Sequence, residues 1–133
     1  MLDSNCIFCK IIQREIPSFK LIETDHSYSF LDISPISVGH SLVIPKYHAQ
    51  KLHEIPDEYL TDLMVTVKKV ALKLKVENYN ILQNNGELAG QEVNHVHFHI
   101  IPKTDDGSGL SYKFKHLEED SFNLDEIQSS FNR

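Results

Sequence analysis

Three histidines stand at alternate positions in the run His95-Val-His-Phe-His-Ile-Ile-Pro102. In a strand, residues two apart share a face, so His95, His97 and His99 point one way and Val96, Phe98 and Ile100 point the other way, into a core. On a helix, steps of two would throw His97 away from its neighbours. The β-branched and aromatic spacers also favour a strand. Each imidazole carries two nitrogens that need partners when buried, so such a row is awkward as plain packing. Histidine titrates near neutral pH and can serve as nucleophile, base or acid with little tuning. His-x-His equally places two metal ligands on one face, and this stretch alone leaves catalysis and metal binding open.

The residues just upstream, Asn84-Asn-Gly-Glu-Leu-Ala-Gly-Gln-Glu-Val93, favour phosphate chemistry. Gly86 and Gly90 permit a tight turn whose backbone N–H groups converge on an anion, and Asn84 adds an amide donor. A glycine pair alone marks an ordinary hairpin loop; beside a histidine strand it means more. Near the start of the chain, Cys6-x-x-Cys9 is half a zinc site by spacing. A tetrahedral ion wants four N or S ligands, so histidines must complete it, with His48 and His95 as candidates. The alternative is a pair of reduced thiols that pack. A redox pair is disfavoured, because no strand precedes Asn5-Cys-Ile-Phe-Cys9.

The elements that position these residues follow from periodicity. Ile7, Phe8, Ile11 and Ile12 have helical spacing within Asn5 to Gln13, with Pro17 beyond as a stop. Phe19 to Glu23 and Tyr28 to Ile33 read as strands joined by a turn at Asp25-His26-Ser27. A short strand, His40 to Ile44, is closed by Pro45. From Pro56 to Leu74 apolar residues recur at three- and four-residue steps, with Lys68, Lys69 and Lys73 off that face, which predicts a long amphipathic helix. Asn78 to Gln83 and Val93 to Ile101 are the remaining strands. Leu124 to Phe131 reads as a terminal helix with Asn123 as its cap. The order α-β-β-β-α-β-β predicts an α+β fold with a mainly antiparallel sheet.

The 133-residue length fits one domain, 1–133, with a core at about 6–102 and a tail at 103–133. The net charge of −6 argues against nucleic-acid or anionic-membrane binding, which needs a basic face, though not against a small phosphate ligand held by local donors. No apolar run approaches a membrane span, and the N-terminus lacks the layout of a secretory signal. The expected compartment is the reducing cytoplasm, with the nucleus as a second location. His26, His53 and His116 are expected to be solvated surface residues.

Three motifs together, Gly39-His-Ser-Leu-Val-Ile-Pro-Lys46, the loop from Asn84 to Val93, and His95-Val-His-Phe-His-Ile-Ile-Pro102, resemble the histidine triad (HIT) family. With Asp32-Ile-Ser-Pro35 the resemblance points to its Hint branch, whose members resemble adenosine 5′-monophosphoramidases. It implies a five-stranded antiparallel sheet with a short N-terminal helix and one long helix. It also implies a homodimer that joins two sheets, with the long helix and the histidine-side strands near the interface. It makes His97 the nucleophile on a purine nucleoside phosphoramidate, forming a covalent nucleotidyl-histidine that water resolves to AMP. His99 would contact the phosphate and assist proton transfer, with His40 and His95 in support. Phe8, Ile11 and Ile33 would flank the purine, Asp32 would receive the ribose hydroxyls, and Asn84 with Gly90, Gln91, Glu92 and Val93 would line the phosphate. The Glu92 side chain is expected to turn away from it, since carboxylate and phosphate repel.

Members with the cysteine pair also imply structural zinc on Cys6, Cys9, His48 and His95, with no cofactor needed for the chemistry. Other readings within reach of the same motifs are a dinucleoside polyphosphate hydrolase and a zinc-stapled nucleotide-binding or interaction module without turnover. The tail lacks the Trp-containing C-terminus of animal members and is expected to shape the leaving-group side of the pocket.

Overall fold

The structure, a computed structural model, describes residues 2–132. Five strands, β1 (Lys20–Glu23), β2 (Ser27–Leu31), β3 (Ser41–Pro45), β4 (Tyr79–Leu82) and β5 (Phe98–Pro102), pair antiparallel in the order β1-β2-β3-β5-β4. The fold is therefore α+β, with one open sheet between two helices. Alternation along β2 and β3 decides which helix covers which face. Val43 points to one side, with Val96, Phe98 and Ile100, and there meets Leu63, Val67, Val70 and Ala71 of the long helix α2 (Asp57–Leu74). Tyr28, Phe30, Leu42 and Ile44 point to the other side and pack on Phe8 and Ile11 of the short helix α1 (Ile7–Ile12).

Boundaries moved where local chemistry overrode the pattern. Helix α1 stops before Pro17, because Arg14 takes a left-handed φ of 64° and the Glu15 N–H bonds back to the Lys10 carbonyl. Pro56 stands just ahead of α2, at its N-cap, and the helix ends on Lys75 in the left-handed region. Strand β2 ends at Leu31, since the Asp32 carboxylate accepts the Ser34 N–H at 2.8 Å and starts a turn.

The largest correction concerns the histidine run. The strand expected from Val93 begins only at Phe98. The β3–β5 ladder stops at the Val43–Phe98 pair, so residues 93–97 lie outside it; instead, the Val96 N–H donates to the Ala49 carbonyl at 2.8 Å. The chain stays extended enough for the alternation to hold: Val96, Phe98 and Ile100 lie in the α2 core, while His95 and His97 approach Phe8 on the opposite side. Beyond β5, residues 111–132 are exposed throughout; helix α3 (Leu124–Phe131) is capped by Asn123, whose side chain accepts the Glu126 N–H.

Candidate functional site

A cavity of about 580 Å³ opens between α1, the ends of β2 and β5, and the loop before residue 95. Phe8, Ile11, Asp32 and Ile33 line it. Asn84, Gly90, Glu92 and Val93 line it as well, together with His40, His97 and His99. The sequence expectations did not include Phe30, Leu42 or Leu110, which also face the cavity. The first two were legible from strand alternation, since Leu42 pairs with His99 and Phe30 with Leu42. Leu110 comes from the tail, where no periodicity marks it.

The hydrogen bonds assign a proton to each histidine. His97 Nδ1 lies 2.7 Å from the His95 carbonyl. A carbonyl only accepts, so Nδ1 carries the hydrogen and Nε2 keeps an open lone pair. The Ile36 N–H donates to His40 Nδ1 at 3.3 Å, which places the His40 proton on Nε2. That proton lies between His99 Nδ1 at 2.9 Å and Asp32 Oδ2 at 3.5 Å. Nδ1 of His99 therefore accepts, and its Nε2–H remains as a donor. His95 Nε2 meets the Pro45 carbonyl at 3.0 Å, so its lone pair is on Nδ1. Burial pushes His97 and His40 below the ordinary imidazole value and His99 down to about 4. These rings are neutral at physiological pH. For His97 the charges of Asp32 and Glu92 oppose the burial effect.

The loop from Asn84 to Val93 departs from expectation in two ways. Its backbone N–H groups do not converge on an anion: those of Ala89, Gly90 and Gln91 bond within the turn, and that of Gly86 bonds to Gln91 Oε1. Among the described residues, the N–H groups of Glu92 and Val93 have no protein acceptor. Gln91 does not line the cavity. Its buried amide donates to the Gln50 and Val93 carbonyls and holds the loop in shape. Glu92 borders the cavity, and its charge acts on His97. Asn84 serves partly as scaffold, donating to the Gly90 carbonyl at 3.3 Å.

A second cluster lies on the far side of Phe8. Cys6, Cys9, His48 and His95 bring their ligand atoms within 4.8 Å of one another. His95 Nδ1 is 3.4 Å from Cys6 Sγ, 3.5 Å from Cys9 Sγ and 3.3 Å from His48 Nδ1. Two sulfurs and two imidazole nitrogens converging on one point form a set able to hold a metal ion. Desolvation raises the Cys9 thiol to about 11, so a bare thiolate there is unfavourable without a cation beside it.

A HIT-domain family model matches residues 13–106. The chain belongs to the HIT family. This HIT protein is 65% identical to the adenosine 5′-monophosphoramidase of Saccharomyces cerevisiae over 109 residues, 82% of this chain and 69% of the relative. It is 58% identical to the enzyme of that name from Schizosaccharomyces pombe over 106 residues, 80% of either chain. Among solved structures it resembles a histidine triad nucleotide-binding protein from Candida albicans, with a TM-score of 0.82 at 51% identity over 96% of this chain and 92% of that one. A HIT family member from Bacillus subtilis gives a TM-score of 0.85 at 41% identity, covering 97% and 94%. The resemblance seen in the three motifs therefore holds, as does its placement in the Hint branch.

The His40–His99 pair makes stability depend on pH with a definite sign. Both folded-state values lie below the ordinary 6.5, so the unfolded chain takes up protons first on acidification. Their stabilisation is complete above pH 6.5 and is lost as pH falls towards 4. Thermal unfolding followed by circular dichroism should show Tm declining through that window. His99→Gln, which removes the titrating ring, should flatten the decline.

Proposed function

We propose that this HIT protein hydrolyses purine nucleoside 5′-phosphoramidates to the nucleoside monophosphate and an amine, through a covalent nucleotidyl-His97. One observation carries the reading: the chain's own carbonyl pins the His97 Nδ1–H, so the neutral ring presents its Nε2 lone pair to a cavity of nucleotide size. The similarity to named adenosine 5′-monophosphoramidases supports the substrate class.

In this reading the lone pair forms a bond to the α-phosphorus as the bond from phosphorus to the amine nitrogen breaks. The amine departs with that electron pair and takes up a proton from solvent. Water then attacks the same phosphorus and gives up a proton to solvent, and the electron pair of the phosphorus–His97 bond returns to Nε2. The His99 Nε2–H donates to a phosphoryl oxygen, a role its tautomer fixes through His40. The N–H groups of Glu92 and Val93 and the amide of Asn84 are the neutral donors at the phosphate end. Asp32 accepts from the ribose hydroxyls with the lone pairs that Ser34 and His40 leave over. Phe8, Ile11 and Ile33 flank the purine.

Zinc fits the second cluster. A tetrahedral zinc with ordinary bond lengths sets sulfur and nitrogen ligands about 3.6 Å apart and two nitrogens about 3.3 Å apart. The corresponding separations here are 3.4–3.5 Å and 3.3 Å. When bound, zinc supplies a cross-link between α1, the segment after β3 and the histidine run. All four of its positions would be filled by protein, so it would have no open site for substrate. A homodimer completes the proposal. Met64, Val65 and Leu72 on α2, with Tyr79 and Ile81 on the edge strand β4, are apolar and exposed.

Steady-state rates should favour an adenosine 5′-phosphoramidate over a diadenosine polyphosphate; the reverse order would assign the protein to the sister activity. His97→Ala should lower kcat by about 10³-fold or more while AMP still binds. Elemental analysis of protein never exposed to chelator should give about one zinc per chain, and stripping it should lower Tm. Sedimentation equilibrium should give twice the 15.3 kDa chain mass.

A further inference from the structure

Helix α1 is six residues long and carries two sets of groups at interleaved positions. Cys6, at its N-cap, and Cys9 belong to the Cys/His cluster, while Phe8 and Ile11 wall the cavity. The Phe8 ring stands edge-on to His95 at 5.8 Å and to His97 at 5.1 Å between centroids. His95 joins the two sites a second time. Its Nδ1 faces the thiols, its Nε2–H is tied to Pro45, and its backbone carbonyl fixes the proton on His97. The helix has no side-chain cap at its N-terminus, and six residues are far too few to be helical alone. Its position therefore depends on Phe8 and Ile11 packing at one side and on the cluster at the other.

We infer that the Cys6–Cys9–His48–His95 cluster positions the nucleotide site, so that zinc and nucleotide bind with positive coupling transmitted through Phe8 and the His95 carbonyl. The inference rests on the nucleotide reading above. Cys9 and His48 act in it as positioning residues, because neither touches the cavity. Coupling between two bound ligands is reciprocal: if zinc tightens nucleotide binding, nucleotide must tighten zinc binding by the same factor. The base is the part of the nucleotide that meets Phe8. AMP should therefore couple to zinc more strongly than ribose 5-phosphate, which offers the same sugar and phosphate without a base.

The test measures zinc affinity of the full chain by equilibrium competition with a chromophoric chelator, with no ligand, with saturating AMP and with ribose 5-phosphate at equal saturation. AMP should raise zinc affinity about five- to tenfold beyond the effect of ribose 5-phosphate. Phe8→Ala, which leaves all four cluster residues in place, should abolish that difference at matched AMP saturation. An equal gain with both ligands would be ordinary linkage to folding and would overturn the proposal, as would zinc affinity indifferent to AMP. Failure of AMP to bind the zinc-loaded protein at all would instead bring down the nucleotide reading, and the coupling with it.

Discussion

The site depends on one hydrogen bond, from the His97 Nδ1–H to the carbonyl of His95 at 2.7 Å. An imidazole in water exchanges its proton between two nitrogens; a nucleophile needs the lone pair on a stated one. The acceptor is backbone two residues away, so the bond tolerates little movement. It also explains why the strand stops short of His95 and His97. In a continuous ladder the residue 95 carbonyl would face a neighbouring strand. Because the β3–β5 ladder stops at Val43–Phe98 and residues 93–97 run unpaired, that carbonyl is left for the side chain of His97. An irregular stretch of backbone is thus the condition for a regular tautomer.

The electrostatics of the cavity follow from the same burial. With an excess of acidic residues in the chain and Asp32 and Glu92 beside the site, a phosphate is not attracted by net charge. Burial keeps the imidazoles neutral, which leaves the His97 Nε2 lone pair free but removes the cationic partner that phosphate sites often use. What remains is a set of oriented neutral donors, and these cost no reorganisation when charge shifts during the reaction. The relay from Ile36 through His40 to His99 is part of that set. A backbone N–H fixes one ring, which fixes the next, which presents a donor to the cavity.

Much of this was legible in the chain. Period-two alternation sorted Val96, Phe98 and Ile100 from the histidines correctly, although the ladder begins only at Phe98, because facing depends on extended geometry and not on pairing. The long helix and the Asn123 cap were readable because their signals are local. The convergence of Cys6 and Cys9 with His48 and His95 is not local: Cys9 and His95 lie 86 positions apart, and spacing within the Cys pair says only that partners are wanted. Motif resemblance supplied them. The glycine loop misled for a physical reason. Glycine shows where a backbone can turn, not where its N–H groups point, and here Gly86 and Gly90 serve a turn that satisfies itself and is clamped by Gln91. Gln91 and Leu110 carried no pattern that would separate a scaffold amide from a ligand or a tail residue from a pocket wall.

The proposed reading puts base recognition on α1, the least expected economy of the fold. The sheet and α2 are held by a contiguous apolar core and need no help from the site. Helix α1 is different: its left-handed exit at Arg14 ends it after six residues, and only its inner face packs on β2 and β3. A wall built on such an element follows whatever restrains its ends. The exit is restrained by Glu23, which accepts from Arg14 and Lys46 and is held down to about pKa 2 chiefly by Lys46. The start is restrained by the thiols. Phe8, the proposed base wall, thus sits between an ion-pair network and a Cys/His cluster, and the second of these shares His95 with the His97 hydrogen bond. On the proposed reading, a shift of α1 that loosens the purine therefore also disturbs the carbonyl that holds the His97 proton.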